Sequence, residues 1–332
     1  MCLLTVDESR GSDMKKRDWE LNERQQGIYQ NLKRQICKIL EFKTHFQGRR
    51  GTERYQESLK TFAKHLAIFY GNQNFRNISR IHLESFIEES KKCGLKPATI
   101  KNDLSAIRML HRKLGNARYT LPTNEELGYT EKRQMYGIDR AWSDQEFERA
   151  VELARQMKRT HICWALQLAR YQGLRIEEVT ALTRTQLRDA LRQNYLSLEI
   201  TKNKVYRDVP LESVTVPLLE EVLENTTGPD KFFITHGRHH HQVFKSVQNW
   251  ILAHRPAFQS ETEPDQDYLK ELDAFVEEHK PTFHGLRHSY AREQYLRYRA
   301  EGFSPLNARQ SVAMQLGHGR DQVTKVYLGK HR

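Results

Sequence analysis

Two arginines, two histidines, a lysine and a late tyrosine stand in an order that could cleave a phosphodiester without a metal. Arg175 sits in Gly173-Leu174-Arg175-Ile176-Glu177-Glu178, and Lys202 in Thr201-Lys202-Asn203-Lys204. His284 and Arg287 lie in Thr282-Phe283-His284-Gly285-Leu286-Arg287-His288, and His318 closes Leu316-Gly317-His318, nine positions before Tyr327. A guanidinium is always cationic, and its planar fork matches phosphate oxygens two at a time. A phenol can attack phosphorus and hold it covalently if something takes its proton, because its free pKa is about 10. Histidine and lysine move protons near neutral pH. His284 and Arg287, three residues apart, share one helix face and can address one phosphate.

These groups need elements that hold them. Ser143 and Glu146 form a capping box that opens a helix and a new domain. A further helix carrying Ile162, Leu166 and Ala169 ends at Gly173, so Arg175 stands at a junction before a helix over Ile176–Leu182. Leu196, Leu198 and Ile200 alternate, and Tyr206 to Leu211 pairs with them across a turn at Lys202-Asn203-Lys204. Tyr327 falls in a helix over Gln322–Leu328.

The first part of the chain is helical by its periods. Ile28, Leu32, Ile36, Ile39 and Leu40 mark one helix between Leu21 and about Phe46; Tyr55, Leu59, Phe62, Leu66 and Phe69 mark a second, stopped by Gly71. Ser79 caps a third, which carries Ile81, Phe86 and Ile87 and ends near Cys93-Gly94. Pro97 begins a fourth, where its missing N–H costs nothing. On that helix Ile100, Leu104, Ile107 and Leu110 form an apolar stripe beside Lys101, Ser105, Arg108 and Arg112. The expected organisation is a flexible tail over 1–20, a helical domain over 21–116, a linker over 117–138 and a second domain over 139–332.

The bulk numbers fit a polyanionic partner. Lys and Arg total 54 against 42 Asp and Glu, a formal charge of +12, and the pI is near 9.5. Each neutralised phosphate releases condensed counterions, so such an excess favours nucleic acid. A mean hydropathy of −0.79 and the lack of any apolar run near 18 residues leave no transmembrane helix. The first residues are too short an apolar patch for a signal segment, so the cytoplasm is expected. Cys2, Cys37, Cys93 and Cys163 lack the spacing of a zinc site and are expected as thiols. His239-His240-His241, with His236 nearby, reads as a basic loop or helix start rather than a metal site, and neither a metal nor a cofactor is expected.

The order Arg175, Lys202, His284-x-x-Arg287, His318, Tyr327 resembles the tyrosine recombinase, or phage integrase, family over roughly residues 50–330. The resemblance implies a mainly α fold: an N-terminal helical, SAM-like core-binding domain and a mixed α/β catalytic domain with a small antiparallel sheet, closing as a clamp on duplex DNA. It implies that Arg175 and Arg287 hold the non-bridging phosphate oxygens and that Glu178 orients a basic group, with Glu177 as the alternative for that role. Lys202, with Lys204 as the adjacent candidate, would protonate the departing 5′ oxygen. His284 would take the tyrosine proton, His288 would support it from a buried position, and His318 would bond a phosphate oxygen. Tyr327 would form a 3′-phosphotyrosine. Lys96-Pro97-Ala98-Thr99-Ile100-Lys101-Asn102 resembles the helix that relatives lay on DNA. Lys96, Lys101 and Arg108 would then reach phosphates, while Thr99, Asn102 and Ser105 could touch base edges.

The resemblance further implies double-stranded DNA with inverted-repeat core sites, a monomer in solution and a homotetramer exchanging strands through a Holliday junction. Integration or excision of a mobile element is the first expectation, and Xer-type dimer resolution the runner-up. Three rivals predict different behaviour: a type IB topoisomerase, a non-catalytic DNA-binding regulator, and a nuclease holding a metal through His284, His288 and His318. Two departures from compact relatives stand out, a long stretch over Arg255–Pro281 with acidic runs and a short tail after Tyr327.

Overall fold

The structure is a computed structural model that describes residues 17, 19–40, 50–131, 140–198, 206–234, 238–260, 279–317 and 321–328. It divides into two compact units, Met1–Gln134 and Met135–Arg332.

In the first unit α1 (Glu23–Leu40), α2 (Arg50–Phe69), α3 (Arg80–Lys92) and α4 (Pro97–Arg112) surround one core. The expected stripes face inward: Ile28, Leu32 and Ile36 from α1, Leu59, Phe62 and Leu66 from α2, and Ile100, Leu104, Ile107 and Leu110 from α4. Phe62 meets Phe86 edge-on at 5.2 Å between ring centroids. On α3 the inward set is Leu83, Phe86, Ile87 and Ser90, a spacing of i, i+3, i+4, i+7. Ile81 is out of phase with that set and faces solvent at 57 % exposure, contrary to expectation.

Both borders of this unit differ from the sequence reading. Of the tail over 1–20, Arg17 bonds Asp103 Oδ2 at 2.7 Å and Trp19 packs on His65. Of the linker over 117–138, the part through Glu131 folds back as a strap. Leu121, Leu127 and Tyr129 enter the core, while Arg108 ties the strap through Pro122 O at 2.8 Å and Asn124 Oδ1 at 2.9 Å. Irregularly spaced apolar residues carry no period, so neither segment looks structured in the sequence.

His65 is wholly buried between Trp19, Phe62, Phe69, Tyr70 and Phe86. Desolvation, reinforced by nearby His82 and Arg17, pushes its pKa down to about 3. The unfolded chain therefore binds this proton near pH 6.5 and the folded unit does not. Stability from this group is complete above about pH 6.5 and falls as pH drops toward 3. We expect His65→Leu to flatten the acid side of the first unit's melting curve. Calorimetry on the full chain reads this as a parent-minus-variant difference in melting temperature that moves in the variant's favour as the pH is lowered.

In the second unit α6 (Thr160–Gln172) is central, packed by α5 (Asp144–Gln156) and α11 (Phe283–Ala300). Around it stand α7 (Ile176–Ala181), α8 (Arg184–Gln193), α9 (Val216–Asn225) and α10 (His240–Phe258). The Ser143–Glu146 capping box forms as expected. Strands β1 (Tyr195–Leu198) and β2 (Arg207–Pro210) pair antiparallel with Leu196 opposite Val209 and Leu198 opposite Arg207. The turn that carries Lys202 and Lys204 lies outside the described residues. A smaller core joins α11, α12 (Pro305–Gln315) and α13 (Asp321–Leu328) through Tyr290, Tyr295, Val312, Leu316 and Tyr327.

The histidine run begins α10: His239 is its N-cap and His240 Nε2 lies 2.8 Å from Thr180 Oγ1. The long stretch over Arg255–Pro281 is drawn together at its base, where Arg255 Nε donates to Pro281 O at 2.9 Å. There Glu146 also accepts from Ser260 N at 2.9 Å and meets His279 Nε2 at 3.1 Å. No helix is long and apolar enough to cross a membrane among the described residues.

Candidate active site

The α6–α7 junction starts the site. Gly173 adopts φ +61°, which ends α6 and turns the chain sharply. A Cβ there would lie 2.3 Å from the Tyr290 ring, so the close approach of α11 also requires glycine. Arg175 follows as the N-cap of α7, and Glu178, three residues on, reaches back to it. Glu178 Oε2 accepts from Arg175 N at 2.8 Å and Oε1 from Arg175 Nη1 at 2.7 Å. Glu178 is thus the partner of Arg175.

Arg287 enters from the first turns of α11, wholly buried. Its Nη1 donates to Gly173 O and its Nη2 to Leu316 O. α11 is seated by Trp142 Nε1, which donates to Thr282 O at 2.8 Å, and by Gly285, where a Cβ would strike Arg140 O. Burial and the neighbouring Arg175 lower the Arg287 pKa to about 10, so it stays cationic at neutral pH.

A third guanidinium completes the cluster. Arg207 extends inward from β2, donating through Nη2 to Glu178 Oε2 at 2.7 Å and through Nη1 to Leu316 O. The sequence reading did not single it out. Its signal was the phase of the strand: β2 buries alternate residues, and Arg207 shares the inward face with Val209. An arginine at an inward strand position needs an anionic or carbonyl partner. Here burial lowers its pKa, opposed by Glu178.

Among the described residues the cluster therefore holds three guanidinium charges against one carboxylate, and Glu178 is only 1 % exposed. A surplus of two positive charges on largely buried side chains favours an anion beside them. Exposure grades across it: the side chain of Arg287 is 0 % exposed, that of Arg207 6 % and that of Arg175 21 %. Arg175 is thus the most exposed of the three guanidinium groups.

Tyr327 lies against this cluster, 7 % exposed. Its ring stacks on His288 at 4.4 Å and 27°, meets His284 edge-on at 5.4 Å, and lies 5.9 Å from Arg287 Cζ. His284 is exposed and His288 is buried. The arrangement thus brings Arg175, Glu178, His284, Arg287, His288 and Tyr327 to one place. Lys202, Lys204 and His318 lie outside the described residues. Among the described residues no group of His, Cys, Asp and Glu is placed to hold a metal ion.

The residues singled out on α4 lie in the other unit. Lys96, Asn102 and Ser105 are exposed, and Thr99, Lys101 and Arg108 are half-buried. Lys101 Nζ donates to Glu131 O at 2.6 Å and Ser105 Oγ to Lys101 O at 2.9 Å. Arg108 is committed to the strap, and burial lowers its pKa.

Residues 143–332 match the phage integrase family, more than half of the chain, and residues 41–117 match the phage integrase N-terminal SAM-like domain. The chain belongs to the phage integrase family. The fold is shared with solved structures of low identity. A lambda integrase tetramer bound to a Holliday junction is 17 % identical, with TM-score 0.60 over 92 % of this chain and 78 % of that one. The recombinase XerH in a post-cleavage complex on palindromic difH DNA is 15 % identical, with TM-score 0.55 over 95 % of both chains. The Tn1549 transposon integrase with transposon right-end DNA is 13 % identical, with TM-score 0.54 over 88 % and 94 %. No curated protein sequence matches.

Proposed function

We propose that this integrase-family chain cuts and rejoins duplex DNA through a 3′-phosphotyrosine on Tyr327, without metal or ATP. The observation that carries the reading is the placement of Tyr327 beside Arg287, which shares with Arg175 a cluster of surplus positive charge. In the reaction the Tyr327 oxygen bonds to phosphorus and the bond from phosphorus to the 5′ oxygen breaks. The phenolic proton passes to His284, which is solvent-facing beside the Tyr327 ring. The departing oxygen takes a proton from Lys202 or Lys204, since a bare alkoxide leaves poorly. Arg175 and Arg287 neutralise charge that gathers on the non-bridging oxygens, where one such donor is worth roughly 10²–10³ in rate. Glu178 and His288 hold these groups in place, and His318 is assigned the remaining phosphate bond. The ester energy stays in the phosphotyrosine, so rejoining to another strand needs no further energy source.

Lys96, Thr99, Lys101, Asn102 and Ser105 on α4 form the DNA-facing surface of the first unit, with Arg108 bracing it. Four protomers on paired inverted-repeat sites would exchange strands, and the task is integration or excision of a mobile element. The test is covalent capture. The chain is mixed with nicked duplexes of randomised core, so that a cleaved fragment diffuses away and traps the adduct. Denaturant-resistant protein–DNA species that persist in chelator support the reading, and their sequences give the core site. Plasmid relaxation without any recombinant product would replace it with a topoisomerase.

A further inference from the structure

We propose that Arg207 is a positioning residue, which divides the Glu178 carboxylate so that Arg175 keeps one edge of its guanidinium for the phosphate. The inference rests on the cleavage reaction proposed above. A lone carboxylate beside an arginine favours the two-pronged pairing that uses both oxygens and both prongs of the fork. That pairing is not present. Arg175 gives Nη1 to Oε1 at 2.7 Å, while Oε2 is taken by Arg207 Nη2 at 2.7 Å and by the Arg175 backbone N–H at 2.8 Å. Among the described residues Arg175 Nη2 keeps a long contact alone, 3.4 Å to Leu316 O. Arg287 Nη1, at 3.9 Å, is too far from Oε2 to take the place of Arg207.

Arg207 is itself fixed. Its Nη1 donates to Leu316 O, and its stem lies against Gly317, where a Cβ would fall 2.9 Å from Arg207 Cδ and 2.7 Å from Nη1. Gly317 also has φ +65°, so the position is doubly suited to glycine. One side chain thereby links β2, the Arg175–Glu178 junction and the turn that follows α12. Loss of Arg207 takes its side-chain donor from Oε2, and the carboxylate closes on the Arg175 guanidinium. The surplus charge of the cluster falls from two to one. Replacing Glu178 by glutamine in the same chain removes the competing carboxylate and restores the surplus to two.

The test uses Arg207→Met, which keeps an apolar stem on Gly317, and Arg207→Lys, on full-length chain with the captured core duplex. Expected for Arg207→Met is duplex affinity lowered only a few-fold by the smaller positive charge, with adduct formation slowed much more, roughly 10- to 100-fold, the scale for outer-shell groups that orient a reacting centre. Arg207→Lys falls between it and the parent. Adding Glu178→Gln to Arg207→Met makes the adduct form faster than in Arg207→Met alone. A merely structural role, or a direct phosphate contact by Arg207, predicts a double variant no faster than the single one, and that result overturns the inference. So does an Arg207→Met chain as fast as the parent. A parent that forms no adduct overturns the cleavage reading itself, on which this inference depends.

Discussion

Tyr327→Phe is expected to bind the core duplex as the parent does and to form no covalent adduct. The Tyr327 ring contributes contacts that a phenyl ring keeps: the stack on His288 at 4.4 Å, the edge contact with His284 at 5.4 Å and the packing in the α11–α13 core. The substitution takes away the hydroxyl that would attack phosphorus. Arg175 and Arg287 are unchanged, so the phosphate is still held. Removing a covalent nucleophile costs up to ~10⁶-fold in rate where the remaining groups cannot substitute for it. Gel retardation measures binding, and denaturing electrophoresis measures the adduct. Retained binding with no adduct is the expected pair of results. An adduct formed at the parent's rate would remove Tyr327 from the reaction. Another of the 14 tyrosines would then have to be sought.

What the sequence made legible follows from how each feature is encoded. The helices of both units are written as periods, and the buried stripes of α1, α2 and α4 fall on the residues the period selects. The catalytic candidates are written as short motifs, and Arg175, His284, Arg287 and Tyr327 meet as their order implied. Features without a period were hidden. The strap residues Leu121, Leu127 and Tyr129 pack through irregular spacing, and Trp19 enters the first core from a stretch that reads as tail. Arg207 was hidden for a different reason. Its role depends on a carboxylate 29 positions away in sequence, and no local pattern marks which inward strand position will face it. The exchange of Ile81 for Leu83 shows the limit of phase at a helix's first turn, where one turn gives too few points to fix the direction.

Glu178→Gln should cost the second unit more stability than any single arginine of the site. Glu178 is 1 % exposed and answers Arg175 and Arg207 at 2.7 Å each, with Arg287 at 3.9 Å. The amide keeps the shape and one acceptor but removes the carboxylate charge that faces Arg175 and Arg207. It also turns two N–H donors toward groups that are themselves donors. Breaking a buried ionic set by removing one partner costs about 3–5 kcal/mol, because the charges left behind stay desolvated. For a unit of this size that is a fall in melting temperature on the order of 10 °C. Removing one arginine leaves a cluster still balanced toward positive, whereas removing the carboxylate raises the surplus to three. The sign of the ligand effect separates this account from simple loss of packing. A phosphate or DNA anion compensates the surplus, so inorganic phosphate should raise the melting temperature of the variant more than that of the parent. Equal shifts in the two chains would mean that Glu178 serves as a helix cap and not as the counter-charge of the arginine cluster.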